Sequence, residues 1–267
     1  MSDTGDPRVT LTIERAIAVI TLSRPEKLNA LDLEMILALE RAAHRIETEA
    51  GVRVAIITGT GEKSFCAGGD IAAWSKYSPL EFGNAWIRYG HRAFDALARL
   101  RQPLIAALNG DTLGGGLEVA ATADFRIAEE HVRLGSPETG LGIIPGWSGT
   151  QRMVRRFGPQ IVRRMALRGE IFNAAEGLKA GLVDDVVPRG KSLEVAQSLA
   201  NRIDERGAAA TEMTKALINS AEGEESERPL EAIAGALAAS TDELKEGIAA
   251  FRGKRKPNFS KARTRPK

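Results

Sequence analysis

PLIAALNGDTLGGGLE (103–118) runs from six mostly apolar residues through an Asn-Gly pair into a triple glycine and a glutamate. The unbroken apolar run bounded by Pro103 and Gly110 reads as a strand buried on both faces, followed by a glycine-rich turn and a short helix. The same order recurs on either side. RVAIITG (53–59) is a buried strand that leads to the loop SFCAGGD (64–70). DFRIAEE (124–130) is another, followed by RLGSPETG and GLGIIPGWSGT (140–150). Between them a helix is expected from about Leu80 to Leu100. Strands alternating with helices predict an α/β fold with mostly parallel strands.

Further out, Val9, Leu11 and Ile13 alternate with threonines and AIAVITL (16–22) follows closely, which predicts an opening hairpin. Asp32 is placed to cap a helix whose apolar positions Met35, Ile36, Leu39, Ala43 and Ile46 recur at helical spacing. From about Leu193 the chain turns to Ala-, Glu- and Leu-rich helical segments. We therefore divide it into a core of residues 1–192 and a helical region of residues 193–267. In the latter, Leu237, Leu244, Ile248 and Phe251 form one apolar stripe that needs a surface to cover, either the chain's own core or a neighbouring subunit.

Composition excludes several classes. One cysteine, Cys66, rules out an intrachain disulfide framework, and three scattered histidines give no zinc site. No apolar run is long enough to span a bilayer, and MSDTGDPRVT lacks the regions of a signal peptide. A soluble, cytoplasmic protein is the expectation. The net charge of +2 hides an asymmetry: residues 252–267 hold eight Lys or Arg and no acid, leaving 29 basic against 35 acidic residues elsewhere. The body is no nucleic-acid cradle, and the tail is either a solvated terminus or a contact for an anionic ligand.

Standard fingerprints fail on all three loops. Gly110 and Gly115 have P-loop spacing, but Gly116 and Leu117 stand where Lys and Ser/Thr are required. GWSGT ends in Thr150, not the glycine of a nucleophile elbow. Backbone chemistry remains: a triple glycine before a helix admits close approach, and the first N–H groups of that helix lack intrahelical partners. Glu118, beside such a turn, and Glu138, in a loop, could share a site with one carboxyl protonated and one ionised.

These segments resemble the crotonase, or enoyl-CoA hydratase/isomerase, superfamily. The likeness runs in order through RPEKLNALD (24–32), SFCAGGDI, NGDTLGGGLE, SPETGLGIIPGWSGTQRM, NAAEGLKAGLVDDVV (173–187) and EGIAAFRGKRKPNF (246–259), nearly the whole chain. It implies a spiral of ββα units with a C-terminal helical region, assembled as a homotrimer or a homohexamer, and a place in fatty acid metabolism. By the same resemblance Gly69 and Gly115 supply the N–H groups of an oxyanion hole, and Glu118 and Glu138 are the catalytic pair. Lys27, Leu28 and Ala30, with Ala67, Gly68, Asp70 and Ile71, match segments that wrap coenzyme A. Phe251 and Lys254 match C-terminal positions that touch CoA in the same or an adjacent subunit.

The implied reaction is addition of water to a trans-2-enoyl-CoA, with CoA as part of the substrate and no metal or other cofactor. The alternatives are an enoyl-CoA isomerase, a decarboxylase or an acyl-CoA hydrolase of the same superfamily; isomerases of this type use one glutamate, like Glu138, so two favour hydration. An RNA-binding or scaffold role would need only the basic tail. Three departures bear on chain length: Ala72 and Ala73 where lysine is frequent, Trp147 where small residues are common, and Asp111 where an apolar residue is usual. Trp74 and Trp86 are expected to line an acyl tunnel or pack a helix, and His44, His91 and Cys66 to be structural.

Overall fold

A computed structural model of the chain describes residues 4–262. The end of the basic tail, residues 263–267, lies outside the described residues. The chain forms two compact units, Met1–Lys215 and Ala216–Lys267.

Among the described residues of the first unit the strands are β1 (Val9–Glu14), β2 (Ile17–Leu22), β3 (Val54–Gly59), β4 (Ser64–Cys66), β5 (Leu104–Leu108), β6 (Asp111–Leu113), β7 (Phe125–Glu129), β8 (Arg133–Gly135), β9 (Phe172–Asn173) and β10 (Asp185–Val187). The predicted hairpin is β1–β2, paired from Val9 opposite Leu22 to Glu14 opposite Ile17. It opens a six-stranded sheet of order β1-β2-β3-β5-β7-β10, parallel from β2 onward. A second sheet has the order β4-β6-β8-β9. Each of β3, β5 and β7 is thus followed by a short strand of the other sheet and then by helical chain. Three such ββα turns form the spiral, and they bring the loops after β4, β6 and β8 together.

Burial explains the unbroken apolar runs. Val54, Ile56, Ile105, Ala107 and Ile127 face the helix Ser192–Asp204 through Ala196 and Ala200. The intervening Ala55, Ile57, Leu104, Ala106 and Leu108 face the main core. Each fully buried Ile or Leu contributes roughly 1.5–3 kcal/mol. Because this helix covers the second face of the sheet, it belongs to the first unit. The compact division consequently falls after Lys215 rather than at 192/193, where composition changes.

The helix Leu33–Thr48 begins where expected: the Asp32 carboxylate accepts the Met35 N–H at 3.1 Å, and Met35, Ile36, Leu39, Ala43 and Ile46 are buried. Such a cap is worth about 1 kcal/mol. The helix expected over 80–100 is interrupted: Pro79–Glu81 opens it, Phe82–Ile87 is a π-helical stretch and Arg88–Ala98 is α-helical.

In the second unit, the helices Glu227–Ala239 and Asp242–Arg252 leave the predicted apolar stripe open, with Leu237 69% and Phe251 86% exposed. Among the described residues no helix is long and apolar enough to cross a membrane.

Candidate active site

The loop after β4 is built from two chain segments. Ala67 donates its N–H to Leu28 O at 3.0 Å, Leu31 N–H bonds Gly68 O at 2.8 Å, and Asp70 N–H bonds Leu31 O at 2.7 Å. The segments 27–30 and 67–71 singled out in the sequence therefore lie side by side. Leu28 and Asn29 adopt left-handed φ values of 54° and 55°, and the buried Asn29 amide fixes that turn by bonding Thr60 O and Ser64 O at 3.0 and 2.9 Å. Asp70 caps Ala72 N–H at 3.0 Å and meets Lys27 Nζ at 3.4 Å and Arg24 at 2.9 Å. Burial alone would raise its carboxyl, but the Lys27 hydrogen bond and the Arg24 and Lys27 charges outweigh that and hold it below its ordinary value. Arg24 was not among the expected site residues; its signal was only its position, three residues before Lys27.

Gly69 N–H is left out of this ladder, whose bonds use Ala67 N, Gly68 O and Asp70 N. Gly115 opens the helix Gly115–Ala120, so its N–H has no acceptor within that helix. The two loops touch: a Cβ at Gly68 would lie 3.0 Å from Gly115 N. The triple glycine has separate local causes. Gly114 takes φ 55°, and a Cβ there would stand 3.1 Å from Glu138 Oε1, whereas a Cβ at Gly116 would strike the Cys66 carbonyl.

Glu118 follows in the first turn of that helix and is 3% exposed. Its Oε1 accepts N–H bonds from Trp147 at 2.7 Å and Gly149 at 2.8 Å. Between those donors Ser148 has φ 69°, and its hydroxyl is hydrogen-bonded to His91 Nδ1 at 2.9 Å. Burial, followed by the charge of Glu138, pushes the Glu118 carboxyl up to about 8 against the pull of the two N–H groups. Glu138 is 8% exposed; its Oε2 accepts the Ser136 hydroxyl at 2.7 Å, and its Oε1 has no partner among the described residues. Burial raises this carboxyl too. A pair so arranged holds a proton through neutral pH and can give and take one across a small space.

Both glutamates, Gly69 and Gly115 line one cavity of about 100 Å³, walled by Trp74, Trp86 and Trp147. The π-helical stretch supplies Phe82, Trp86 and Ile87 to its wall, a setting in which such turns are frequent. Ala67, Gly68 and Ile71 also line it, while Lys27, Leu28, Ala30 and Asp70 stand behind or beside that loop. Phe251 and Lys254 lie in the second unit. Asp111 does not reach the cavity; it pairs with Arg133 on the neighbouring strand, Nε to Oδ1 at 3.1 Å. Cys66 is fully buried, and burial pushes its thiol up to about 12, which keeps it inert. The sequence reading missed Ser136, Gly149 and the donor role of Trp147. Two of these act through backbone N–H groups, which no side-chain pattern marks.

Residues 12–262 match the sequence pattern of the family described as enoyl-CoA hydratase/isomerase. The chain is 38% identical to a crotonyl-CoA hydratase of Syntrophomonas wolfei over 94% of this chain and 97% of that protein. It is 37% identical to a short-chain-enoyl-CoA hydratase of Clostridium acetobutylicum, covering 93% and 95% of the two chains. The crystal structure of an enoyl-CoA hydratase from Bacillus anthracis superposes with a TM-score of 0.78 at 33% identity, covering 94% of this chain and 98% of that one. The family match over residues 12–262 and relatives 37–38% identical over nearly the whole chain place the chain in the enoyl-CoA hydratase/isomerase family.

Proposed function

We propose that this cavity adds water across the 2,3 double bond of a trans-2-enoyl-CoA to give the 3-hydroxyacyl-CoA. One observation carries the reading: two buried carboxyls, both with raised proton affinity, line the same small cavity as the unused N–H groups of Gly69 and Gly115. The thioester oxygen sits between those N–H groups, which stabilise the enolate charge as it develops; one such donor is typically worth roughly 10²–10³ in rate. Glu118 and Glu138 hold the attacking water between them. One carboxylate takes a proton from the water as its oxygen bonds C3, and the protonated partner delivers a proton to C2, so the pair ends with the proton count it began with. Every group in this sequence of steps belongs to the polypeptide, and the reading calls for no metal or other cofactor.

The CoA moiety is assigned to the paired segments 27–30 and 67–71, whose exposed Leu28 and Ile71 and half-exposed Lys27 border the loop. Phe251 and Lys254 are assigned to the same CoA or to that of a neighbouring subunit. A homotrimer or a homohexamer is supported by the open apolar stripe on the C-terminal helices. A cytoplasmic location fits a chain whose one cysteine is a buried free thiol. The test is loss of conjugated-thioester absorbance with crotonyl-CoA. Glu118→Gln and Glu138→Gln should each lower kcat at least ~10²-fold with little change in KM. Near-normal hydration in either variant overturns the assignment.

A further inference from the structure

The cavity is walled in part by a ring that glycines of the surrounding backbone leave room for. Trp147 is 3% exposed yet lines the cavity. A Cβ at Gly115 would lie 2.5 Å from its Cζ3, one at Gly69 would lie 3.3 Å from its Cη2 and 2.7 Å from Trp86 Cζ2, and one at Gly90 would overlap its pyrrole edge. The two indoles thus occupy the volume that side chains at the two oxyanion-hole glycines would take. The Trp147 ring cannot swing aside cheaply. Its Nε1–H donates to Trp86 O at 3.1 Å, Trp86 packs on it at 4.9 Å, and Phe94 meets it edge-on at 5.1 Å.

What remains is a cavity of about 100 Å³, against about 150 Å³ for an apolar protein cavity that takes one benzene. We infer that Trp147, backed by Trp86 and seated against Gly90, is the end wall of the acyl pocket and makes the enzyme prefer short 2-enoyl groups over aromatic and medium-chain ones. The inference rests on the hydratase reading of the same site. Ile71 and Leu141 also line the cavity but are exposed, unlike Trp147, and the thioester is assigned to their side. An acyl carbon beyond the first few has to displace a ring packed on three sides. Misfit of even one methylene in such a pocket costs roughly 10–200-fold.

The experiment compares kcat/KM for trans-2-butenoyl-, hexenoyl-, decenoyl- and cinnamoyl-CoA in the full chain, in Trp147→Ala and in the milder Trp147→Phe. The wild type should lose at least tenfold from four carbons to ten, and a similar factor for cinnamoyl. Trp147→Ala should raise the ratio of ten-carbon to four-carbon activity at least tenfold. Trp147→Phe, which keeps a ring and serves should the alanine variant fail to fold, should raise it severalfold. Equal wild-type activity on four and ten carbons, or an unchanged ratio in folded variants, overturns the inference. Calorimetric titration with butyryl- and decanoyl-CoA, which cannot be hydrated, separates the two claims. Preference for butyryl-CoA without any hydration of enoyl esters sinks the hydratase reading and keeps the wall; equal binding sinks the wall alone.

Discussion

Glu118 carries two opposed demands. Its burial favours the neutral acid, while the Trp147 and Gly149 N–H groups on Oε1 favour the anion, and burial wins. An unfolded glutamate ionises near 4.3, so the folded value of about 8 means that ionisation is paid for in stability. The sign follows: stability associated with this group is fully present below the unfolded value and is lost as pH rises toward about 8. Glu118→Gln removes the cost. The melting temperature of the variant should therefore gain on the wild type progressively between pH 5 and pH 8, and a gap that stays flat with pH would refute the raised carboxyl. For activity, kcat/KM should fall on the alkaline side as pH passes about 8, where the pair gives up the proton it must deliver to C2. Glu118 was visible in the sequence because an acid beside a glycine-rich turn stands out, whereas Glu138, in a loop, was singled out as its partner and given a role by the family resemblance. Ser148 was not: its positive φ and its bond to His91, which shape the loop that holds Glu118, leave no mark on residue type.

At the level of elements, legibility followed length and period. The hairpin, the capped helix Leu33–Thr48 and the buried strands β3, β5 and β7 each extend over five residues or more, long enough to show alternation, helical spacing or an unbroken apolar run. The second sheet did not show, because strands such as Ser64–Cys66 and Asp111–Leu113 are three residues long and sit within glycine-rich stretches. The π-helical turn escaped for a different reason: its residues keep a nearly helical pattern, so residue type does not mark the stretch that carries Trp86 to the cavity wall. The helix Gly115–Ala120 gives the sharpest element-scale test. Gly115→Ala keeps the N–H but puts a Cβ 2.5 Å from the Trp147 ring. Overpacking of this kind typically costs 1–3 kcal/mol. The variant should melt several degrees lower and turn over at least tenfold more slowly, since relieving the clash moves either the N–H donor or the ring. Wild-type turnover at an unchanged melting temperature would mean that the loop yields freely and that the wall at Trp147 is soft.

For the whole molecule, the division after Lys215 separates the residues of the cavity from those of the open apolar stripe. Every residue lining the cavity precedes Lys215, whereas the open apolar stripe of Leu237, Leu244, Ile248 and Phe251 lies after it. A stripe with Phe251 86% exposed is costly to leave in water, and association with another copy of the chain would cover it. Directly after the stripe comes the basic run that begins at Arg252, with Lys254 in a left-handed turn at φ 48°. CoA carries several phosphate charges, and a partly exposed Lys–phosphate contact is worth up to ~1 kcal/mol at moderate salt, or about fivefold in affinity. Deleting residues 246–267 should therefore raise the KM for crotonyl-CoA and shift the sedimentation profile toward smaller species. Lys254→Ala alone should raise KM severalfold at low ionic strength, lose that effect as salt screens the contact, and leave sedimentation unchanged. If truncation alters neither KM nor sedimentation, the stripe and the basic run serve neither assembly nor CoA, and the tail is a solvated terminus.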